Sequence, residues 1–343
     1  MKNLPPTRLL ECVPNFSEGR KDSVIMKIQE SIATVEGVKL LHIDKGYSAN
    51  RTVMSFAGTP EAVIEAAFQS VRTASELIDM RSHKGTHPRI GACDVLPLVP
   101  LKGITMHETI GLSYILADRI GTDLKIPVYC YEKSAKSSLR KNLETIRKGE
   151  YEGLKEKILD SKWKPDYGPC EFNAKTGATI VGARDLLIAF NVNISTDSVN
   201  IAKEIASRIR KSGKTIQLEN GIKKNIPGLL KSVKAIGWYI EDFQKVQVSM
   251  NITNLKSNPI HVVYETVKNV AKEYGVRVTG SELIGLIPEK VLIDAGLFYA
   301  TDKSNFKNTS TEKLIQLAIE KMGLNEIKPF HPKERVIEYL LGL

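Results

Sequence analysis

A chain of 343 residues, 42% hydrophobic and 26% charged, is long enough for two domains of ordinary size and apolar enough to bury cores in both. No run approaches the roughly 20 apolar residues that span a bilayer, and residues 1–8 lack the apolar stretch of a signal peptide, so a cytoplasmic location away from membranes is expected. The net charge of +10 favours anionic partners, while Cys12, Cys93, Cys130 and Cys170 are too scattered for a disulfide framework or a zinc site.

In chain order, residues 9–13 form a short apolar run that stops at Pro14 and reads as a strand. Residues 22–34 carry Val24, Ile25, Ile28 and Ile32 at helical spacing, and Gly37 ends that helix. Strands are predicted over 38–43 and 51–57, with a turn near 46–49 between them. Thr59 is a helix cap and Pro60 the first helical residue of a segment running to about residue 78. A strand over 94–100, a helix over 105–119 and a short strand over 128–131 follow. The Lys-, Gly- and Pro-rich stretch 137–182 leads to the expected division of the chain into residues 1–183 and 184–343. Beyond it the same order returns: a strand over 186–194, a helix over 196–210, paired strands over 233–240 and 246–251, a helix over 259–274 and strand material over 276–286. Helices over 289–300 and 311–322 close the chain. The pattern is α+β, two βαββαβ units of the split-βαβ kind, and a cleft between two such units is a favoured ligand site.

The segment His83-Lys84-Gly85-Thr86-His87-Pro88-Arg89 holds the first candidate chemistry. Gly85, Pro88 and Gly91 break any helix, so His87 is expected on a loop leading into a strand, where a scaffold can present an imidazole that exchanges protons near neutrality. The spacing of His83 and His87 would suit a metal only on a helix, so no metal is expected. Asp44 ends one predicted strand and Asn50-Arg51 begin the next, which places them at one end of the sheet. Asp44 can orient an imidazole, and Arg51 and Arg89 can clamp a carboxylate through paired hydrogen bonds. His42 lies two residues before Asp44 and shares its face of the strand, where it reads as a packed core histidine. The loop 14–20, with Asn15, precedes a helix start, a place that either caps the helix or receives a negative group. In the connecting stretch, Gly168-Pro169 and Thr176-Gly177 allow close backbone approach to a ligand. No phosphate-binding glycine motif follows a strand, and Ser17, Ser48 and Ser55 lack a nucleophile-elbow setting.

Several longer motifs carry a family resemblance. Residues 11–19 (Glu-Cys-Val-Pro-Asn-Phe-Ser-Glu-Gly), Asn50-Arg51-Thr52-Val53, His83-Lys84-Gly85 with His87-Pro88-Arg89-Ile90-Gly91-Ala92, Gly182-Ala183-Arg184, Ala189-Phe190-Asn191-Val192-Asn193, Gly237-Trp238-Tyr239 and Pro332-Lys333-Glu334-Arg335 resemble glutamate formiminotransferase, over about residues 9–339. The resemblance implies two tandem ferredoxin-like subdomains with a ligand tunnel between them. It implies transfer of a formimino group between N-formimino-L-glutamate and tetrahydrofolate, a step of histidine degradation, with tetrahydrofolate as co-substrate and no metal. It implies that His87 is the proton donor, that Asp44 lies near it, and that the segment containing Gly168, Pro169, Phe172, Thr176 and Gly177 contacts folate. It implies a homodimer, and a stand-alone form without the cyclodeaminase domain of the vertebrate enzyme. The chain departs from the family pattern at His42, where an aspartate is usual, and at Tyr47, where a proline is frequent.

Three alternatives remain on the sequence alone. Glutamate formyltransferase activity on 5-formyltetrahydrofolate stays within the enzyme class. A folate-binding protein without turnover is argued against by the presence of His87, Asp44 and Arg51. A nucleic-acid-binding module would suit the charge, but Arg51-Thr52-Val53-Met54-Ser55-Phe56 supplies one aromatic where RNA-binding strands carry several, so no nucleic-acid partner is expected.

Overall fold

The computed structural model describes residues 8–218, 220–300 and 310–343. Residues 1–7, on which most of the leader expectation rests, lie outside that set. Contacts divide the chain into two units, 1–185 and 186–343.

The first unit begins with β1 (Leu9–Cys12) and β2 (Asn15–Phe16), two pieces of one line interrupted at Val13-Pro14. Then come α1 (Asp22–Ala33), β3 (Val38–Gly46), β4 (Arg51–Gly58), α2 (Pro60–Leu77), β5 (Cys93–Lys102), α3 (Met106–Asp123) and β6 (Val128–Cys130). Two helical fragments, α4 (Leu143–Arg147) and α5 (Leu154–Lys157), precede β7 (Thr179–Ala183). The sheet runs β3, β4, the β1/β2 line, β5, β7, β6, antiparallel as far as β5 and parallel from β5 to β6. The helix boundaries follow their caps: the Thr59 side chain accepts from Ala62 N–H ahead of Pro60, and Thr105 and Glu108 form a reciprocal capping box at α3. α3 runs four residues past its expected end at Arg119.

One face of this sheet packs on the three long helices. Leu10, Cys12, Phe16, Met54, Phe56, Leu96, Leu98 and Val181 meet Ile25, Ile28 and Ile32 of α1, Val63, Ala67 and Val71 of α2, and Leu116, Ala117 and Ile120 of α3. Each large apolar side chain so buried contributes about 1.5–3 kcal/mol. The opposite face has two halves. Over β5, β7 and β6, Val95, Ile180, Tyr129 and Tyr131 are covered by Ile146 and Leu154 of the 137–182 stretch. That stretch therefore belongs to the first unit as a covering layer, and the change of unit falls after it, between Asp185 and Leu186. Over β3, β4 and the β1/β2 line, register places Asp44, Val53 and Asn15 in one row and Glu11 beside Ala57, so the polar side chains share this second half.

The second unit repeats the strand order. It comprises β8 (Ile188–Ile194), α6 (Val199–Ile209), β9 (Lys214–Gln217), β10 (Lys223–Ile226), β11 (Val233–Ile240), β12 (Lys245–Ile252), α7 (Ile260–Glu273), β13 (Val278–Ile284), α8 (Glu289–Tyr299), α9 (Thr311–Met322), α10 (Pro332–Arg335) and α11 (Ile337–Leu341). Its sheet runs β11, β12, β8, β13, antiparallel throughout. The first four sheet strands of the first unit stand in the same sequence order. Phe190, Val192 and Ile194 of β8 alternate into a core with α6, α7 and α9, whereas Asn191 and Asn193 point to the other face. β9 and β10 form a separate hairpin, in a region for which no strands were expected. Among the described residues no helix is long and apolar enough to cross a membrane.

Candidate active site

Three loops of the first unit interlock around His87. The turn between β3 and β4 ends at Asn50, whose φ of 47° is the left-handed conformation that asparagine tolerates better than most residues. Its side chain joins the other two loops: Oδ1 accepts from Gly19 N–H at 3.0 Å, and Nδ2 donates to the Lys84 carbonyl at 2.8 Å. A Cβ on Gly85 would stand 2.2 Å from the Ala49 carbonyl oxygen, so only glycine lets the loops close this tightly. The loop 14–20 is tied down by Ser17 Oγ donating to the Gly91 carbonyl at 2.7 Å and Thr52 Oγ1 donating to the Glu18 carbonyl at 2.6 Å. The negative group expected at the start of α1 is supplied from within: Glu18 Oε1 accepts from the N–H groups of Arg20 and Lys21, both at 2.9 Å.

His87 lies on the loop before β5, half-buried. Its Nδ1 is 2.8 Å from the Pro88 carbonyl, which can only accept, so the ring hydrogen sits on Nδ1 and the lone pair on Nε2. Arg51 Nη1 presses on that ring, 2.5 Å from Nε2 and 2.9 Å from Nδ1. Burial, Arg51 and Arg147 together push the imidazole well below its usual pKa, against the opposing pull of the Pro88 carbonyl. The resting ring is neutral. Burial also lowers the Arg51 guanidinium to about 10, with Arg147 adding to the effect and Asp94 and Asp44 countering it.

Asp94 and Arg147 were not singled out in the sequence, yet they form the electrostatic floor of this site. The Asp94 carboxylate is fully buried; it accepts from Ile90 N–H at 3.0 Å and from Arg147, whose Nε is 3.4 Å away and whose Nη2 is closer still. The only sequence signal was a carboxylate inside an otherwise apolar strand.

The remaining expected residues have distinct places. Asp44 pairs with His42 at 3.8 Å, and both side chains are half-buried, so His42 is not a packed core residue. Asp44 acts electrostatically on Arg51, which in turn touches His87. Asn15 is buried in β2 and donates to the Val13 carbonyl at 3.0 Å. Arg89 is not free to clamp a substrate carboxylate. Its Nη1 and Nη2 bind Glu152 at 2.8 and 2.7 Å, Nη1 also binds Glu150 at 2.9 Å, and Nε donates to His83 Nδ1 at 3.2 Å. His83 passes the tie on through Nε2 to the Asn50 carbonyl at 2.9 Å, so this pair braces the loop. Thr176 and Gly177 lie against the same loop: Ala92 N–H donates to the Thr176 carbonyl at 2.8 Å, and a Cβ on Gly177 would stand 2.1 Å from the Ile90 carbonyl oxygen. Phe172 packs on Tyr151, ring centroids 5.5 Å apart. Gly168, with φ of 77°, fits against Gly121 at the end of α3 and is followed by the half-buried Pro169. No group of three or more His, Cys, Asp or Glu side chains placed to hold a metal occurs among the described residues.

The second unit has its own polar cluster. Gln247 Nε2 donates to Asn193 Oδ1 at 2.8 Å, Asn193 Nδ2 to Glu326 Oε2 at 2.6 Å, Asn191 Nδ2 to Glu282 Oε2 at 3.2 Å, and Trp238 Nε1 to Gln247 Oε1 at 3.1 Å. Lys245 closes the row on Glu326 at 2.9 Å. The alternation of Asn191 and Asn193 with apolar neighbours was the sequence sign of this face.

Residues 9–184 match the family model of the formiminotransferase domain, N-terminal subdomain, and residues 189–342 match that of the formiminotransferase domain. A glutamate formimidoyltransferase of Streptococcus pyogenes is 44% identical over 85% of this chain and 93% of its own length; one of Thermoplasma acidophilum is 42% identical over 89% and 98%. A formimidoyltransferase-cyclodeaminase of Rattus norvegicus is 44% identical over 98% of this chain, which spans 60% of that relative's length. With both family models matched in order and each carrying its own sheet of the same strand sequence, the chain belongs to the formiminotransferase family.

Proposed function

We propose that this chain is a glutamate formimidoyltransferase that moves the formimino group between N-formimino-L-glutamate and tetrahydrofolate, with His87 as the proton carrier. Names of relatives matched over nearly their whole length support the activity. The observation that carries the residue assignment is the neutral ring of His87, with its lone pair on Nε2, held on a braced loop. In the forward direction N5 of tetrahydrofolate attacks the formimino carbon and loses its proton to Nε2. The tetrahedral adduct then breaks its bond to the glutamate nitrogen, which leaves with the proton that His87 returns. A neutral imidazole is the form that this sequence needs first, and such general acid–base help contributes about 10²–10⁴-fold.

Arg51 holds a substrate carboxylate in this reading, and Asp44 steadies the charge that forms on the site. Arg89 acts as a brace of the loop and not as a substrate ligand, because Glu150 and Glu152 occupy its fork. Asn15 and the segment with Gly168, Pro169, Phe172, Thr176 and Gly177 are the folate contacts. The proposal treats residues 1–183 and 184–343 as the two subdomains, each ferredoxin-like, supported by the shared sheet order. The net charge of +10 raises the local concentration of two anionic substrates in a cytoplasmic enzyme.

The test is a side-by-side assay of the purified chain with N-formimino-L-glutamate plus tetrahydrofolate and with 5-formyltetrahydrofolate plus glutamate. The formimino pair is expected to turn over faster by about tenfold or more. Faster formyl transfer, or saturable folate binding with no turnover of either pair, overturns the assignment.

A further inference from the structure

Arg147 ends α4, and one ammonium pins its backbone from both sides. Lys157 Nζ donates to the carbonyls of Thr145, Ile146 and Lys148 at 3.3, 2.5 and 2.8 Å and sits over the Trp163 ring at 4.0 Å. Carbonyls at the end of a helix lack partners within it, so a lysine placed there ties the turn down. The Arg147 carbonyl itself accepts from Glu150 N–H at 2.7 Å. The guanidinium held this way carries five N–H groups. Asp94 engages only its Nε and Nη2. Nη1 donates to no acceptor among the described residues, and it is not sealed in, so its two N–H groups face space open to solvent. Arg89 is the contrast, with Nη1, Nη2 and Nε all taken by Glu150, Glu152 and His83. Arg51 is like Arg147: Nη1 lies against the His87 ring, and Nε and Nη2 have no acceptor among the described residues.

We infer that Arg147 is a substrate-binding residue, the second arm of a carboxylate clamp whose first arm is Arg51, and that it reads the side-chain carboxylate of the glutamate moiety. The inference rests on the reading of the chain as acting on N-formimino-L-glutamate. That substrate carries two carboxylates at different distances from the reacting nitrogen. The α-carboxylate is bonded to the carbon that bears this nitrogen, whereas the side-chain carboxylate lies beyond two methylenes. Arg51 touches the His87 ring, so it meets the nearer one. Arg147, whose influence on the ring is the weaker of the two, meets the farther one. The pairing of Arg51 with Arg89 expected from the sequence thus gives way to Arg51 with Arg147. Asp94 and Lys157 fix the second arm before substrate arrives, which lowers the cost of ordering it on binding.

The measurement compares N-formimino-L-glutamate with N-formimino-L-glutamine, whose side chain is uncharged, on the wild type, R147K and R147Q. The wild type is expected to favour the glutamate compound by about 100-fold or more in kcat/KM. R147K keeps a cation beside Asp94 but loses the fork, and the preference is expected to fall by about tenfold. In R147Q it is expected to shrink to within about threefold. A purely structural role would lower both substrates alike, so an unchanged preference in folded R147K overturns the inference. R147K also decides the matter should R147Q fail to fold. Calorimetric binding of L-glutamate and L-glutamine separates this inference from the proposed activity. A wild-type preference for L-glutamate that R147K loses supports the clamp; the same result with no formimino transfer would overturn the proposed function and leave the clamp standing. Equal binding of the two amino acids by the wild type overturns the inference.

Discussion

In the first unit, the polar half of the sheet face lies beside two arginines and a loop-borne imidazole. In the second, the equivalent strands carry Asn191, Asn193, Gln247 and Glu282, bound to one another across the sheet. Both sheets have the same strand order and both bury apolar side chains on the helical face. What differs is the connections. Between α2 and β5 the first unit inserts the loop that carries His83, His87 and Arg89, and its stretch 137–182 supplies Arg147, Glu150 and Glu152 to brace it. Among its described residues the second unit shows no such brace, and its buried histidine, His261, sits in α7 stacked on Phe298 at 4.5 Å. The scaffold is thus used twice, and the proposed acid–base chemistry lies where long loops are pinned to it.

The comparison can be broken at its ion pairs. Asp94 is fully buried against Arg147, whereas Glu273 of the second unit meets Arg208 at the surface with both side chains at least 40% exposed. Breaking a buried pair from one side leaves an uncompensated charge, so D94N is expected to lower unfolding free energy by about 3–5 kcal/mol. E273Q is expected to lower it by less than about 1 kcal/mol, since water already solvates that pair. Urea denaturation of both variants checks this. Equal losses would mean that the first unit's charged floor is no more demanding than a surface contact.

A smaller effect sharpens the same contrast. Glu11 on β1 is buried on the half-face that carries the site, and burial raises its carboxyl from 4.5 to about 7, against the lowering influence of Arg184. The folded state therefore binds a proton more readily than the unfolded chain. Its contribution is fully present below pH 4.5 and is lost as pH rises through about 7. E11Q should be more stable than the wild type at pH 8, by up to about 3 kcal/mol, and indistinguishable near pH 4. Thermal unfolding at the two pH values tests the sign, and a variant less stable at pH 8 would show that the carboxylate is stabilised there and not merely tolerated.

Much of this was legible in the chain because local physics decided it. The alternating apolar strands, the cap at Thr59, and the glycine- and proline-broken loop of His87 all emerged where expected. Other features were set by distant partners and left no local trace. Arg89 reads as an anion clamp until Glu150 and Glu152, 61 and 63 residues away, take up its donors. α4 and α5, of five and four residues, are too short for a hydrophobic period to register, so the covering layer read as a connection. Asp94 looked like one polar residue in an apolar strand, and nothing nearby announced Arg147, 53 residues on.

The account turns on one imidazole, and the direct measurement is single-turnover formimino transfer by H87A beside H261A, the buried histidine of the other unit, with folate binding followed separately. H87A is expected to bind folate and lose about 10²–10⁴-fold in rate. H261A is expected to stay within about threefold of the wild type. Retention of the rate in a folded H87A would contradict the assignment of the proton transfer to this loop.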